Sequence, residues 1–405
     1  MRIFIINNVY KKGSTGKIVL DTKNYYESKG HQVMVAYGMG KDLKDPHTLK
    51  FCTSFERYAH YYLCKVGCNP LKGSPLTVIR IARAVKGFNP DIVHVHCMNS
   101  HCVDLYRLLD FLSINEYKVV ITHHAEFYYT GSCPHAYDCV NWINSQCKNC
   151  LLPKAHIFDF MNINHHEMWL KIYKCFSSFK KDNLVFTAVS PWVKKRAKLS
   201  PITNKFNCVT VMNGLDTDIF HYIKDKSTII KGKYAFVAFH ASASFTDREN
   251  DPKGGKYIIE LAGLNPSILF VVAALHISIT NKLPSNILIW GSVNSGKKLA
   301  QLYSDADITI ICSKRETFSM ITAESLCCGT PVVGFEAGGP ESIAIKKYTQ
   351  FVQYGDISLL NNAIHSTLKM RYNKEVISFE AASIYSKERM SSSYLKVYND
   401  LLVKE

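Results

Sequence analysis

The sequence predicts an α/β fold built on parallel sheets, and three observations carry that expectation. Short β-branched runs such as Asp307–Ile311 and Ile268–Ala273 read as buried parallel strands, apolar on both faces. Stretches rich in helix formers lie between such runs, as from about Phe318 to Cys328, with Gly329 just past the end as a helix stop. A chain of 405 residues with 47% apolar side chains is long enough for two or three domains with real cores.

The net charge is +16, from 49 basic and 33 acidic side chains. That balance suits an anionic partner (a nucleotide, a nucleic acid or an anionic membrane face) without choosing among them. No apolar run is long enough to span a bilayer, and Met1–Asn7 reads as a first strand rather than a secretory leader. Most of the fourteen cysteines are scattered in apolar surroundings, which fits a reducing cytoplasm better than a disulfide scaffold.

Two glutamates mark the chemistry. Glu316 falls in the turn beyond the C-terminal end of the strand Asp307–Ile311, where open α/β sheets place ligands. Glu324 lies inside the following helix. Between them, a helix N-terminus offers unpaired N–H groups and a positive dipole end, a seat for a diphosphate. Carboxylates on either side could accept hydroxyls from the two ends of one ligand, the layout of a nucleotide sugar. Solvated acids on an ordinary αβ unit would give the same pattern.

The motif as a whole, Glu316, seven residues, Glu324, then Cys328-Gly329-Thr330-Pro331-Val332-Val333 and Gly338-Gly339-Pro340-Glu341, resembles the signature of the retaining, GT-B-fold glycosyltransferases of family 4. The resemblance extends over nearly the whole chain. It implies two Rossmann-like domains facing across a cleft, with a C-terminal helix crossing back. The expected boundaries are 1–213 for an acceptor-side domain, 214–385 for a nucleotide-sugar-binding domain, and 386–405 for a helix packing on the first domain.

Along the first domain, Arg2–Asn7 is a strand, and Gly13 and Gly16 flank a turn at the start of the helix that follows. Their spacing matches neither a dinucleotide loop nor a P-loop. It is similar to the family's N-terminal glycine loop, which implies a place near donor phosphates and acceptor. The region Lys41–Gly73 reads as irregular and aromatic, with Phe55–Cys64 as a helix. Leu76–Val85 is a second helix. Asn89-Pro90-Asp91-Ile92-Val93-His94-Val95-His96 resembles a family strand. Asn99-Ser100 stands where many relatives carry His-Gly. Lys118–Thr122 is a strand running into His123-His124-Ala125. By resemblance His124 lies beside the transferred sugar, and Ala125 replaces the usual Asp. Cys133, Cys139, Cys147 and Cys150 follow with C-x5-C-x7-C-x2-C spacing, suited to a structural zinc, with unlinked thiols or a disulfide as alternatives. They lie in a stretch, 130–153, that resembles a cysteine-bearing insertion of a subset of the family. Ser190 and Pro191 open a helix whose Lys194, Lys195, Arg196 and Lys198 form a charged face, solvated or touching an anionic membrane.

After a basic linker, Lys224–Lys233, the second domain begins with the strand Tyr234–Ala241 and a polar loop, Ser242–Gly255. Lys253 matches the family lysine that reaches the donor diphosphate, a task suited to a point charge on a flexible stem. Arg248 is off the family pattern. Asn373–Tyr398 reads as helical.

By resemblance, then, His124, Glu316 and Lys253 carry catalysis, and Gly13, Gly16, Lys253, Glu316, Phe318, Ser319 and Glu324 line the donor site. Glu316 would hold sugar hydroxyls and Glu324 ribose hydroxyls, with no catalytic metal. The expected reaction moves a hexose, UDP-linked by preference, to a saccharide or polyprenyl-diphosphate-linked saccharide in cell-surface polysaccharide or lipopolysaccharide synthesis, in the cytoplasm or at the inner membrane face. A sugar-nucleotide epimerase of the same architecture is the first rival reading. A basic nucleic-acid-binding protein is the second, although no recognisable nucleic-acid-binding framework appears.

Overall fold

The computed structural model describes residues 1–150, 164–224, 228–229 and 231–403. The end of the cysteine-bearing stretch at 151–153, parts of the linker and residues 404–405 lie outside the described residues.

The chain divides into two compact units, Met1–Met212 with Met390 onward, and Asn213–Arg389. In the first, β1 (Arg2–Val9), α1 (Gly13–Ser28), β2 (Gln32–Met39), β3 (Thr48–Lys50), α2 (Ser54–Lys65), α3 (Pro75–Phe88) and β4 (Ile92–Val95) form one half. The other half holds α4 (Leu105–Ile114), β5 (Val119–His123), the short α5 (Phe127–Thr130) and α6 (Asn141–Asn144), α7 (His165–Ser177), β6 (Leu184–Ala188), α8 (Pro191–Leu199) and β7 (Asn207–Thr210). The sheet order is β3-β2-β1-β4-β5-β6-β7, with every pairing parallel. Strands β4, β5 and β6 are buried at every position, as a sheet covered on both faces requires. The strand order reverses between β1 and β4, which makes a topological switch point at their C-terminal ends.

The second unit repeats the plan. It runs β8 (Phe236–Thr246), α9 (Gly255–Leu264), β9 (Ile268–Ser278), β10 (Ile287–Gly291), α10 (Gly296–Asp305), β11 (Ile308–Ile311), α11 (Met320–Cys327), β12 (Val332–Phe335), α12 (Gly339–Ile343), β13 (Thr349–Val352), α13 (Ile357–Lys369) and α14 (Lys374–Tyr385). The order β10-β9-β8-β11-β12-β13, again all parallel, puts the switch point between β8 and β11. The last helix, α15 (Lys387–Leu402), contributes Met390, Tyr394, Val397, Tyr398 and Leu401 to the core of the first unit, against Ile3, Ile5, Tyr26 and Val120.

Three expectations are corrected. Asn373–Tyr398 is not one helix, because Ser386 is extended. Leu215 pairs with the break, donating its N–H to Tyr385 O and accepting from Lys387 N. Ser242–Gly255 is not all loop. β8 continues to Thr246 because Ser242, Ser244, Phe245 and Thr246 pair with β9 as far as Ser278, small polar side chains serving as strand residues. Arg196 does not belong to the solvated face of α8. It turns inward onto Glu126, as described below. Helices α4 and α9 and the short α5 and α6 carry no clear signal in the sequence. No helix among the described residues is long and apolar enough to cross a membrane.

Candidate functional site

In the second unit the two loops that leave the switch point are joined by backbone. The loop after β11 bonds on one side to the loop after β8, with Lys314 N donating to Pro252 O at 2.8 Å. On the other side it bonds to the glycine turn after β12, where Glu316 N donates to Ala337 O (3.0 Å) and Gly339 N to Glu316 O (2.8 Å). The glycines are needed for this closeness. A Cβ on Gly339 would sit 2.6 Å from Phe318 N, and Gly254 has φ +74° in contact with Cys312. Glu341 holds the same turn by accepting from Ala337 N and Gly338 N.

Lys253 and Glu316 meet across this junction, Nζ to Oε1 at 2.6 Å, with 29% and 21% of their side chains exposed. Asp251 shapes the turn that carries Lys253, accepting from Lys253 N (3.0 Å) and Gly255 N (3.2 Å). Phe318 is buried. Ser319 caps α11, accepting from Thr322 N at 3.2 Å with its own φ at +80°, a left-handed conformation rare for a residue with a Cβ. Helix α11 therefore starts at Met320, two residues later than the sequence suggested. Glu324 stands one turn in, where Tyr303 of α10 donates its hydroxyl to Oε2 at 3.1 Å. Tyr303 is fully buried, and burial together with the Glu324 charge raises its pKa well above the usual phenol range, so it stays a donor. Arg248 is exposed on a turn. Lys253, Glu316, Phe318, Ser319 and Glu324 thus converge on the junction of two loops and one helix start.

Two Asp-x-Asp triplets occur in this unit, and both are engaged structurally. Asp216 pairs with Lys387, Asp305 accepts from Thr228 N and Ile229 N, and Asp307 accepts from Val237 N.

In the first unit, Gly13 opens α1 with φ +66°, and Gly16 packs on the backbone of Tyr10 and Lys11 in the turn that follows β1. The end of β4 and the end of β5 bring three histidines together. His96 Nδ1 and His124 Nε2 share a hydrogen bond of 2.9 Å, their rings stacked. His94 bonds to Tyr398 (2.6 Å) and Thr122 (2.7 Å). Part of the His124 surface reaches solvent, yet the protein packed around the ring pushes its pKa down to about 4. Burial also lowers His94 and His96 well below the usual imidazole value, so all three imidazoles are neutral near pH 7. The Nε2 atom of His96 is buried without a partner.

Glu126, two residues past His124, escaped the sequence reading. Its fully buried carboxylate accepts from Arg196 Nε (2.6 Å), Tyr129 OH (2.9 Å) and Ala136 N (2.8 Å). Arg196 also lies over the rings of Trp142 and Trp192. This knot holds the start of the cysteine-bearing stretch. Cys133 and Cys147 are buried there and Cys139 and Cys150 half-buried, with no disulfide among them. Burial, then the neighbouring cysteines, raise the Cys133 thiol. Among the described residues, the one group of three or more potential metal ligands within 4.8 Å of each other does not include these four.

A sequence model described as Glycosyltransferase Family 4 matches residues 15–218, half of the chain, and one described as Glycosyl transferases group 1 matches residues 253–382. An Escherichia coli (strain K12) protein that carries the name colanic acid biosynthesis glycosyl transferase WcaC is 20% identical over 428 residues, 99% of this chain and 100% of its own. The sucrose-phosphate synthase of Thermosynechococcus elongatus is similar in structure, with a TM-score of 0.69 at 13% identity over 100% of both chains. Anabaena HepE, solved in complex with UDP and glucose, has a TM-score of 0.63 at 14% identity, over 99% of this chain and 100% of that one. The shared architecture is the GT-B fold of two Rossmann-like domains. The protein is a nucleotide-sugar-dependent glycosyltransferase, and its chain belongs to glycosyltransferase family 4.

Proposed function

We propose that the enzyme is a retaining transferase that moves a hexose from a UDP-linked donor to a saccharide or polyprenyl-diphosphate-linked saccharide during cell-surface polysaccharide synthesis at the cytoplasmic membrane face. The observation that carries the reading is the Lys253–Glu316 pair at the start of α11, on the switch point of the second sheet. The pair is part-exposed, so a donor can reach both side chains. Lys253 then turns to the diphosphate, with the first-turn N–H groups of α11 beside it. Glu316 accepts hydroxyls of the sugar, and Glu324, aimed by Tyr303, accepts those of the ribose. In the reaction the bond from the anomeric carbon to the diphosphate oxygen breaks. The acceptor oxygen bonds to the same face of that carbon, and its proton leaves with the diphosphate. Developing negative charge on the diphosphate is what Lys253 and the helix start stabilise. His124, with Gly13 and Gly16, is assigned to this chemistry from the first domain.

The UDP preference draws on the complex of Anabaena HepE with UDP and glucose, and the pathway on the E. coli protein's name. The likeness of the cysteine-bearing stretch to that of a family subset points to the same pathway.

The test is a panel of UDP-, GDP- and ADP-sugars, following binding and slow release of nucleoside diphosphate. Release from one donor, lost in Lys253→Ala and Glu316→Ala, supports the assignment. No binding of any donor by folded protein would overturn it.

A further inference from the structure

Helix α2 raises a question of energetics. Its N-terminus is well made, a capping box between Thr53 and Glu56. Yet Phe55, Tyr58, Tyr62 and Leu63 are exposed, and its two buried residues are His60 and Cys64. An amphipathic helix normally docks through an apolar stripe. This one docks through an imidazole and a thiol, four residues apart and therefore on one face.

They meet His101, in the loop between β4 and α4, held at φ +62°. The three residues are all buried. His60 Nδ1 and His101 Nδ1 are 3.3 Å apart, Cys64 Sγ and His101 Nδ1 3.4 Å, and Cys64 Sγ and His60 Nδ1 3.8 Å. Zinc bonds of about 2.0–2.1 Å to nitrogen and about 2.3 Å to sulfur, at tetrahedral angles, separate two nitrogens by about 3.3 Å and nitrogen from sulfur by about 3.6 Å. The two edges to His101 are close to those lengths, and Cys64 Sγ lies equally near both His60 ring nitrogens (3.8 and 3.7 Å), so the His60 ring would turn to aim one of them at an ion. A cavity of about 580 Å³, lined in part by His60, adjoins the group, so a water has access to a fourth position.

We propose that His60, Cys64 and His101 bind one zinc ion, which fastens α2 to the loop after β4. Mixed imidazole and thiolate ligands favour a borderline-soft d¹⁰ cation over magnesium or calcium. The ion would fix the switch-point loop of the first domain, the segment that includes Asn99 and Ser100, and so would connect a structural metal with the acceptor-side domain.

The experiment is metal analysis of purified full-length protein, followed by replacement of zinc with cobalt(II) and absorption spectroscopy. One zinc per chain is expected, and a cobalt spectrum with a near-ultraviolet thiolate-to-metal band and visible tetrahedral bands. Cys64→Ser should abolish the thiolate band. His101→Asn should weaken cobalt binding by at least about 100-fold, beyond the loss of an outer partner. Both should leave far-ultraviolet circular dichroism in place. Should Cys64→Ser fail to fold, a chelator must lower the Tm of the wild type and not that of His101→Asn. The proposal is overturned if the triad merely shares hydrogen bonds, so that folded protein takes up no cobalt. It is equally overturned if the thiolate band survives Cys64→Ser and is lost in Cys133→Ser, which would assign the metal to the four-cysteine stretch.

Discussion

Replacing Glu126 by Ala removes a carboxylate with no solvent exposure and three protein hydrogen bonds, from Arg196 Nε, Tyr129 OH and Ala136 N. What remains is a guanidinium with 16% of its side chain exposed and no counter-charge, wedged between Trp142 and Trp192. Breaking a buried pair on one side costs about 3–5 kcal/mol, because the surviving charge stays desolvated. In a domain of this size each kcal/mol is about 2–4 °C of Tm, so the first domain should melt about 6–20 °C lower. Scanning calorimetry checks this, with the transition of the second domain as internal reference. The decisive control is the partner change. Arg196→Met in the Glu126→Leu background should recover most of the loss, since a dry apolar pair avoids the unpaired charge. A Tm drop below about 2 °C for Glu126→Ala, or simple additivity in the double variant, would refute the reasoning. Because Glu126 lies two residues past His124, turnover should fall in Glu126→Ala even at temperatures where the protein stays folded.

Three further outcomes are expected. Tyr303→Phe deletes a hydrogen bond to a charged carboxylate, worth about 1.5–3 kcal/mol, and should weaken nucleoside diphosphate binding by about 10–100-fold while sugar selectivity is kept; isothermal titration reads this, and unchanged affinity would deny Tyr303 its positioning role. Gly339→Ala forces a Cβ to within 2.6 Å of Phe318 N and should shift the Glu316 loop, so donor turnover falls at least about 10-fold although Gly339 is assigned no donor contact; wild-type turnover would refute the interlock of loops. The His124 pKa of about 4 lies below the ordinary value of about 6.5, so the unfolded chain binds the proton more readily, and stability present above pH 6.5 is lost as pH falls towards 4. His124 alone accounts for about 2 kcal/mol lost by pH 5, with His94, His96 and His123 acting in the same direction. The Tm of the first domain between pH 7.5 and pH 5 measures it, and a Tm independent of pH would contradict the burial of these rings.

The junction after β11 was legible in the sequence because its elements are local. Glu316, Phe318, Ser319 and Glu324 fall within nine residues, and the strand, turn and helix that place them are written in the same stretch. Lys253 was placed by the resemblance of Lys253-Gly254 to the family's Lys-Gly pair. What escaped were partners supplied from a distance by packing. Tyr303 reaches Glu324 from another helix, and in the sequence it is one more apolar-looking position of α10. Glu126 and Arg196 are 70 residues apart, and nothing in a lysine-rich helix marks the one arginine that turns inward. Small polar residues in β8 read as loop because strand propensity there comes from pairing with β9 rather than from side-chain type.

The same contrast explains how this junction holds its shape. Lys253 and Glu316 are flexible side chains, and a site that depended on their rotamers alone would pay heavily in entropy to order them. The structure moves that cost into backbone. Lys314 N to Pro252 O, Glu316 N to Ala337 O and Gly339 N to Glu316 O fix three loops to one another before any ligand arrives. Glycines at 254 and 339 allow the approach, and the Glu341 carboxylate closes the last turn. Glu341 therefore belongs to the motif for a reason that a donor contact does not supply. It holds two N–H groups of the turn whose glycine grips Glu316. A signature that reads in one dimension as scattered glycines and acids is, in three, a set of backbone bonds with two charged side chains paired at the junction.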